Sequence, residues 1–140
     1  TAREELTRQR ITRLMAVDGR NRSPVDEQYA TVVSAYCADS ATDDRATWTR
    51  FMRNIAGTVE PGGLFVTAAL RRCRGYMVGG KSFPGADIDE DDLRAVLRPD
   101  FFPGSTGNAP TDGCIEVHQV AQDDTHGYGA IVLVRARRAG

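Results

Sequence analysis

The stretch from Trp48 to Leu70 sets the tightest limit on what this chain can fold into. Trp48, Phe51, Met52, Ile55, Ala56 and Val59 recur at the spacing of one face of an α-helix. Asp43 and Asp44 precede them, where a carboxylate accepts from the unpaired N–H groups of a first turn and complements the helix dipole. Glu60, Pro61, Gly62 and Gly63 then end the helix, because proline cannot continue it and glycine supplies the positive φ of a sharp reversal. Leu64 to Leu70 is apolar except at Thr67, the pattern of a parallel-sheet strand covered on both faces. A helix, a tight turn and a buried strand form half of an α/β crossover unit.

The flanking segments extend that pattern. Ala2 to Arg10 is polar and made of good helix formers, the mark of a surface helix. Ile11 to Val17 is expected as a short strand closed by Asp18 and Gly19, and Arg20 to Glu27 as a polar loop. Ala30 to Cys37 is β-branched and apolar, which predicts a central strand. Arg71 to Asp87 is expected as an irregular, glycine-rich segment. A second helix is signalled by Asp89 as cap, Asp92 in the first turn, an Ile88–Leu93 staple and Pro99 beyond its end. A loop from Phe101 to Gly113 follows. Ile115 to Val120 and Tyr128 to Ala136 then form two strands joined by a turn at Asp123 to Gly127, which should be antiparallel.

Composition removes several classes of function. The chain of 140 residues suits one domain, and its net charge of −1 gives no general attraction to nucleic acid. The basic clusters at Arg71, Arg72 and Arg74 and at Arg135, Arg137 and Arg138 fit solvated strand ends. No apolar run reaches the roughly 20 residues that span a bilayer. Cys37, Cys73 and Cys114 are far apart and in no paired spacing, which favours free thiols. The first ten residues lack the apolar core of a secretory leader. Together these predict a cytoplasmic protein with neither membrane nor nucleic-acid partner.

Three chemical motifs were weighed. Gly75 to Ser82 matches G-x-x-x-x-G-K-[ST], but Phe83, Pro84 and Gly85 oppose the helix a phosphate-binding loop requires. His118 and His126 pair with no other ligand at metal-binding spacing, and no serine sits in a nucleophile elbow. The remaining candidate is built from strand ends, since open parallel sheets bind ligands beyond their carboxyl edge. Asp18 with Gly19 and the loop from Ala35 to Asp39 lie there. Asp18 is able to accept from a cofactor amino or hydroxyl group, or to serve as a plain Asp-Gly turn. Asp39 fits a loop or capping role equally, and Tyr76 fits a core aromatic.

Taken together, Tyr29 to Ala41, the helix carrying Trp48 and Phe51, the turn from Val59 to Val66, and Tyr76 to Gly79 followed by Phe83 resemble one family. It is the nicotinamide, phenylethanolamine and thioether methyltransferase family, within the class I S-adenosylmethionine-dependent methyltransferases. The resemblance runs from about Ile11 to Arg137. It implies an α/β, Rossmann-like methyltransferase sheet ending in an antiparallel β-hairpin. It places Asp18 and Gly19 at the adenine end of S-adenosylmethionine, Ala35 and Tyr36 along the cofactor cleft, and Asp39 and Tyr76 at the methyl acceptor.

The implied activity is methyl transfer to a small-molecule amine or related nucleophile. Small-amine members carry an acidic residue at the end of the Pro-Gly-Gly strand, where this chain has Ala68 and Ala69. The Gly-rich first loop of the family, E/D-x-G-x-G-x-G, has no counterpart in residues 1–140. The chain therefore reads as a single methyltransferase-like domain lacking its N-terminal cofactor-loop half, which a missing segment or a partner would supply. The alternative is a non-catalytic, methyltransferase-like interaction module that has lost cofactor binding.

Overall fold

The computed structural model describes residues 1–102, 113–120 and 127–140. Its elements run α1 (Ala2–Arg10), β1 (Tyr29–Ala35), α2 (Arg45–Ala56), β2 (Val59–Arg71), β3 (Gly75–Val78), β4 (Lys81–Pro84), α3 (Glu90–Phe101), β5 (Cys114–Gln119) and β6 (Ala130–Arg137). Four strands form one sheet in the order β1-β2-β6-β5, and β3 with β4 forms a separate hairpin. Only β1 and β2 are parallel; β2 with β6 and β6 with β5 are antiparallel. The antiparallel C-terminal pair is as expected, while the joining residues 121–126, like 103–112 of the preceding loop, lie outside the described residues.

Helix α2 forms where its apolar spacing predicts. Asp44 caps it, accepting from Thr47 N at 2.6 Å, and Trp48, Met52 and Ala56 are buried. The helix stops at Gly57, so Val59 belongs to β2 instead of the helix face. Pro61, Gly62 and Gly63 consequently lie inside β2 and do not terminate α2. Tyr29 pairs with Val59 but Thr31 pairs with Leu64, so Glu60–Gly63 bulges out of the ladder. Gly62 has φ +77°, and a Cβ on Gly63 would stand 3.0 Å from the Ala30 carbonyl oxygen. The bulge is clamped by the basic C-terminal strand: Arg137 donates to Gly62 O at 3.1 Å and Arg138 to the carbonyls of Gly57 and Val59. Those arginines hold backbone, beyond the solvated role their composition suggests.

One face of the sheet is covered. Phe65, Thr67 and Ala69 of β2 and Val132, Val134 and Ala136 of β6 point to it, all buried. There they pack with Trp48 and Met52 of α2 and with Leu93, Val96, Leu97 and Phe101 of α3. Phe65 and Phe101 have ring centroids 5.7 Å apart. Helix α3 begins with Asp89 accepting from Asp91 N and Asp92 N, while the Asp92 carboxylate accepts from Asp89 N. Ile88 and Leu93 are fully buried beside that cap. Pro99 lies within the last turn of α3, which runs on to Phe101 instead of ending before the proline as expected.

Other expectations are corrected. Ile11–Val17 forms no strand, and Ile11, Leu14, Met15 and Val17 are exposed. Without a neighbouring strand to pair with, an apolar run this short has nothing to hold it extended. Strand β1 is at the sheet edge instead of its centre, and Val33 is 69% exposed. The second face of β2, bearing Leu64, Val66 and Ala68, is half-buried, so the strand is not covered on both sides. The Arg71–Asp87 segment holds the β3–β4 hairpin. Gly79 and Gly80 turn it with φ +55° and +77°, which replaces the helix that a phosphate-binding loop would need.

Candidate active site

The carboxyl ends of β1 and β2 gather most of the candidate residues. Strand β1 ends in a forced turn: Tyr36 adopts φ +54°, an uncommon conformation for a residue with a side chain, and donates its N–H to Ala68 O at 2.8 Å. Ala35 pairs with Ala68 and is exposed. Beyond them Asp39 is buried, 4% exposed, with its Oδ2 accepting from Leu70 N at 2.8 Å. Its own carbonyl accepts from Ala86 N at 3.2 Å. Asp39 therefore ties the β1–α2 loop to the end of β2 and to the base of the β3–β4 hairpin. Burial pushes its carboxyl pKa up, and the Leu70 N–H partly opposes that.

Asp18 and Gly19 reach the same edge along a loop docked on α2. Asn54 Nδ2 donates to Gly19 O at 2.9 Å, and Gly19 itself is buried. A Cβ there would fall 2.4 Å from Phe51 Cε1, so a side chain at this position would have to displace the ring. Asp18 faces outward in a two-point ion pair with Arg20, at 2.8 to 3.1 Å. The Arg20 hydrogen bonds hold its pKa at about 2.

Between this loop, β1 and α2 lies a cavity of about 360 Å³, apolar for the most part. Gly19, Val25, Val32, Cys37, Phe51 and Ile55 are among its walls. The structure thus brings Gly19 together with the residue that follows Tyr36. A flat, weakly polar ring suits such a space, and Asp18 lies one residue before Gly19 of its wall. Among the described residues no cluster of His, Cys, Asp or Glu is arranged to hold a metal. His118 pairs with Glu116 at 3.1 Å on exposed β5, and His126 lies outside the described residues.

Tyr76 is placed apart. It lies on β3, stacked on Phe83 of β4 with centroids 5.4 Å apart and ring planes 17° from parallel. Its link to Asp39 runs through the hairpin base, where Ala86 meets the Asp39 carbonyl. Sequence inspection passes over Phe51 and Cys37 as wall residues and Asn54 as the donor to the Gly19 carbonyl. The spacing of Phe51 and Asn54, three apart and one turn of α2, is the signal that points them toward one loop.

The element order, the parallel β1–β2 pair followed by antiparallel strands, and the strand-end cleft define the C-terminal architecture of a Rossmann-like methyltransferase. A sequence profile of the NNMT/PNMT/TEMT family matches residues 1–102, and the chain belongs to that family. Human nicotinamide N-methyltransferase is 25% identical over 100 residues, covering 69% of this chain and 38% of that protein. Mouse indolethylamine N-methyltransferase is 28% identical over the same coverage. Among solved structures, N-methyltransferase NodS from Bradyrhizobium japonicum WM9, in complex with S-adenosyl-L-homocysteine, matches with TM-score 0.58 at 17% identity. It is covered over 54% of its length by 90% of this chain. A Clostridium acetobutylicum S-adenosylmethionine-dependent methyltransferase matches with TM-score 0.60 at 9% identity, over 99% of this chain and 70% of its own. This chain thus spans little more than a third of the curated relatives it matches.

Proposed function

We propose that the chain forms the C-terminal half of an S-adenosylmethionine-dependent methyltransferase acting on a small-molecule amine or related nucleophile. Family membership supports this reading, and the observation that carries it is one apolar cavity alongside β1 whose walls include both Gly19 and Cys37, the residue after Tyr36. In this reading the cavity takes the adenine ring, Asp18 accepts from its edge, and Ala35 and Tyr36 border the cleft. S-adenosylmethionine, when bound, supplies an electrophilic methyl on a sulfonium. Transfer to an acceptor lone pair would break the sulfonium C–S bond and leave neutral S-adenosylhomocysteine, so the task of these residues is to position the two reactants more than to move a proton.

Tyr76, with Phe83 beneath it, offers a rigid aromatic face to the acceptor. Asp39 serves by fixing the two strand-end loops, and its charge stabilises positive charge that develops on the acceptor. Ala68 and Ala69 leave the end of β2 without a carboxylate, so an acceptor amine gains no second anionic partner there. Free Cys37, Cys73 and Cys114 fit a reducing, cytoplasmic setting. Among the described residues no helix is long and apolar enough to cross a membrane.

Calorimetric titration of the complete polypeptide with S-adenosylhomocysteine tests the reading. A saturable one-site heat weakened by Gly19→Val is the expected result. No heat and no thermal shift at millimolar ligand would leave the family fold serving as a non-catalytic interaction module.

A further inference from the structure

Asn54 is a weak helix former inside α2, so its place there calls for a reason beyond helicity. The half-buried carboxamide supplies one: Nδ2 donates to the Gly19 carbonyl at 2.9 Å, across 35 residues of sequence. The segment it grips has few other ties. Among the described residues this is the one hydrogen bond that joins residues 12–27 to the rest of the fold. The others in that segment are local, between Asp18, Arg20 and Asn21. Toward its N-terminal side the segment runs into α1, which buries no residue, and Leu14 is 87% exposed. Yet Val17, Gly19, Pro24 and Val25 of this segment all line the cavity of about 360 Å³. Phe51 and Ile55 line it from α2, and they share a helix face with Asn54.

We propose that Asn54 is a positioning residue: its bond to Gly19 holds the Val17–Val25 wall against α2 and thereby sets the affinity of the cavity for its ligand. An irregular wall that is free to move must be ordered each time a ligand enters, and that ordering weakens binding. With the bond in place, the wall is ordered before the ligand arrives. Gly19 is fixed twice, by Asn54 at its carbonyl and by the Phe51 ring against its Cα, where a Cβ would fall 2.4 Å from the ring. The bond demands a donor on the helix, because a carbonyl oxygen only accepts. A carboxamide fits, whereas a carboxylate of the same shape sets acceptor against acceptor. Asn54 acts through the wall, so it governs ligand binding more than the transfer step. The inference rests on the cofactor reading above for the identity of the ligand, and on geometry alone for the tie.

Three substitutions in the complete polypeptide test it. Asn54→Ala removes the donor and places a better helix former on α2, so the fold is retained. Asn54→Asp keeps the shape without the donor, and Asn54→Gln keeps the donor on a longer stem. Limited trypsin digestion, followed peptide by peptide, reads the wall without ligand. Cleavage after Arg20 and Arg22 should be roughly 10-fold faster in Asn54→Ala and Asn54→Asp, while Trp48 fluorescence, which reports the core, stays native. Calorimetry with S-adenosylhomocysteine should show about 5- to 10-fold weaker binding for Asn54→Ala and a larger loss for Asn54→Asp. Asn54→Gln should recover most of both, which a merely structural role for the position does not predict. Unchanged cleavage in Asn54→Ala, or faster cleavage with unchanged affinity, would overturn the proposal. So would an Asn54→Gln variant as impaired as Asn54→Ala, since the donor would then be irrelevant. Faster cleavage in the variants of a parent that binds no S-adenosylhomocysteine would uphold the tie and overturn the cofactor reading alone.

Discussion

Gly19 and Gly85 are both closed to a side chain, but by different neighbours. At Gly19 a Cβ meets the far edge of the Phe51 ring, a side chain; at Gly85 it meets the Cys73 carbonyl oxygen at 2.4 Å, which is backbone. Gly19→Ala should therefore cost about 1 kcal/mol and be largely recovered in a Gly19→Ala, Phe51→Ala pair, whereas Gly85→Ala should cost about 3 kcal/mol with no such rescue. Denaturant melts of these three variants, with Phe51→Ala alone as the reference for the pair, check this. Asp39 makes a pH-dependent prediction. Its folded pKa is raised by burial, so its contribution to stability is present below the usual carboxylate range and is lost as pH rises through the folded value. Asp39→Asn should then be more stable than the parent at neutral pH, with the gap closing on acidification; a gap that widens in acid would contradict the burial argument. The sequence made Asp18 and Asp39 visible as carboxylates at strand ends. It did not show that Arg20 holds one and Leu70 N the other, because those partners follow from the turn conformation.

Elements with a local cause were legible, and those set by a distant partner were not. Helix α3 was readable from Asp89, Asp92, Ile88 and Leu93 because cap, box and staple lie within one turn. Asp89→Ala should lower stability by about 1 to 2 kcal/mol, since it removes the cap and the partner of Arg72 together; thermal unfolding monitored by α3 helicity measures it. Ile11–Val17 has strand composition but no neighbour, and remains without regular structure. Pro61–Gly63 looked like a helix stop because proline and glycine serve helix ends and strand bulges alike, and only the Thr31–Leu64 register distinguishes them. The Gly79–Gly80 pair carried a two-residue hairpin signal that its match to a phosphate loop obscured.

For the whole molecule, the finding that matters is that one sheet face is packed and the other is not. The covered face accounts for the core through Phe65, Val132 and Val134 with α2 and α3, and it holds the loop-bearing ends of β1 and β2 in place. The cavity beside β1 is walled mostly by apolar side chains from the loop, β1 and α2. The apolar runs of β2 and β6 predict a core, but Leu64–Leu70 reads as covered on both faces and only one is, because sidedness depends on helices that pack from far along the chain. The cavity beside β1 is proposed to recognise the adenosyl end of S-adenosylmethionine. Titration of the isotope-labelled 140-residue chain with S-adenosylhomocysteine, followed by amide chemical shifts, tests that most directly. Weak, millimolar binding with shifts confined to Gly19, Val25, Ala35, Tyr36 and Cys37 is the predicted result. Shifts centred elsewhere, or none at the highest soluble ligand concentration, would contradict it.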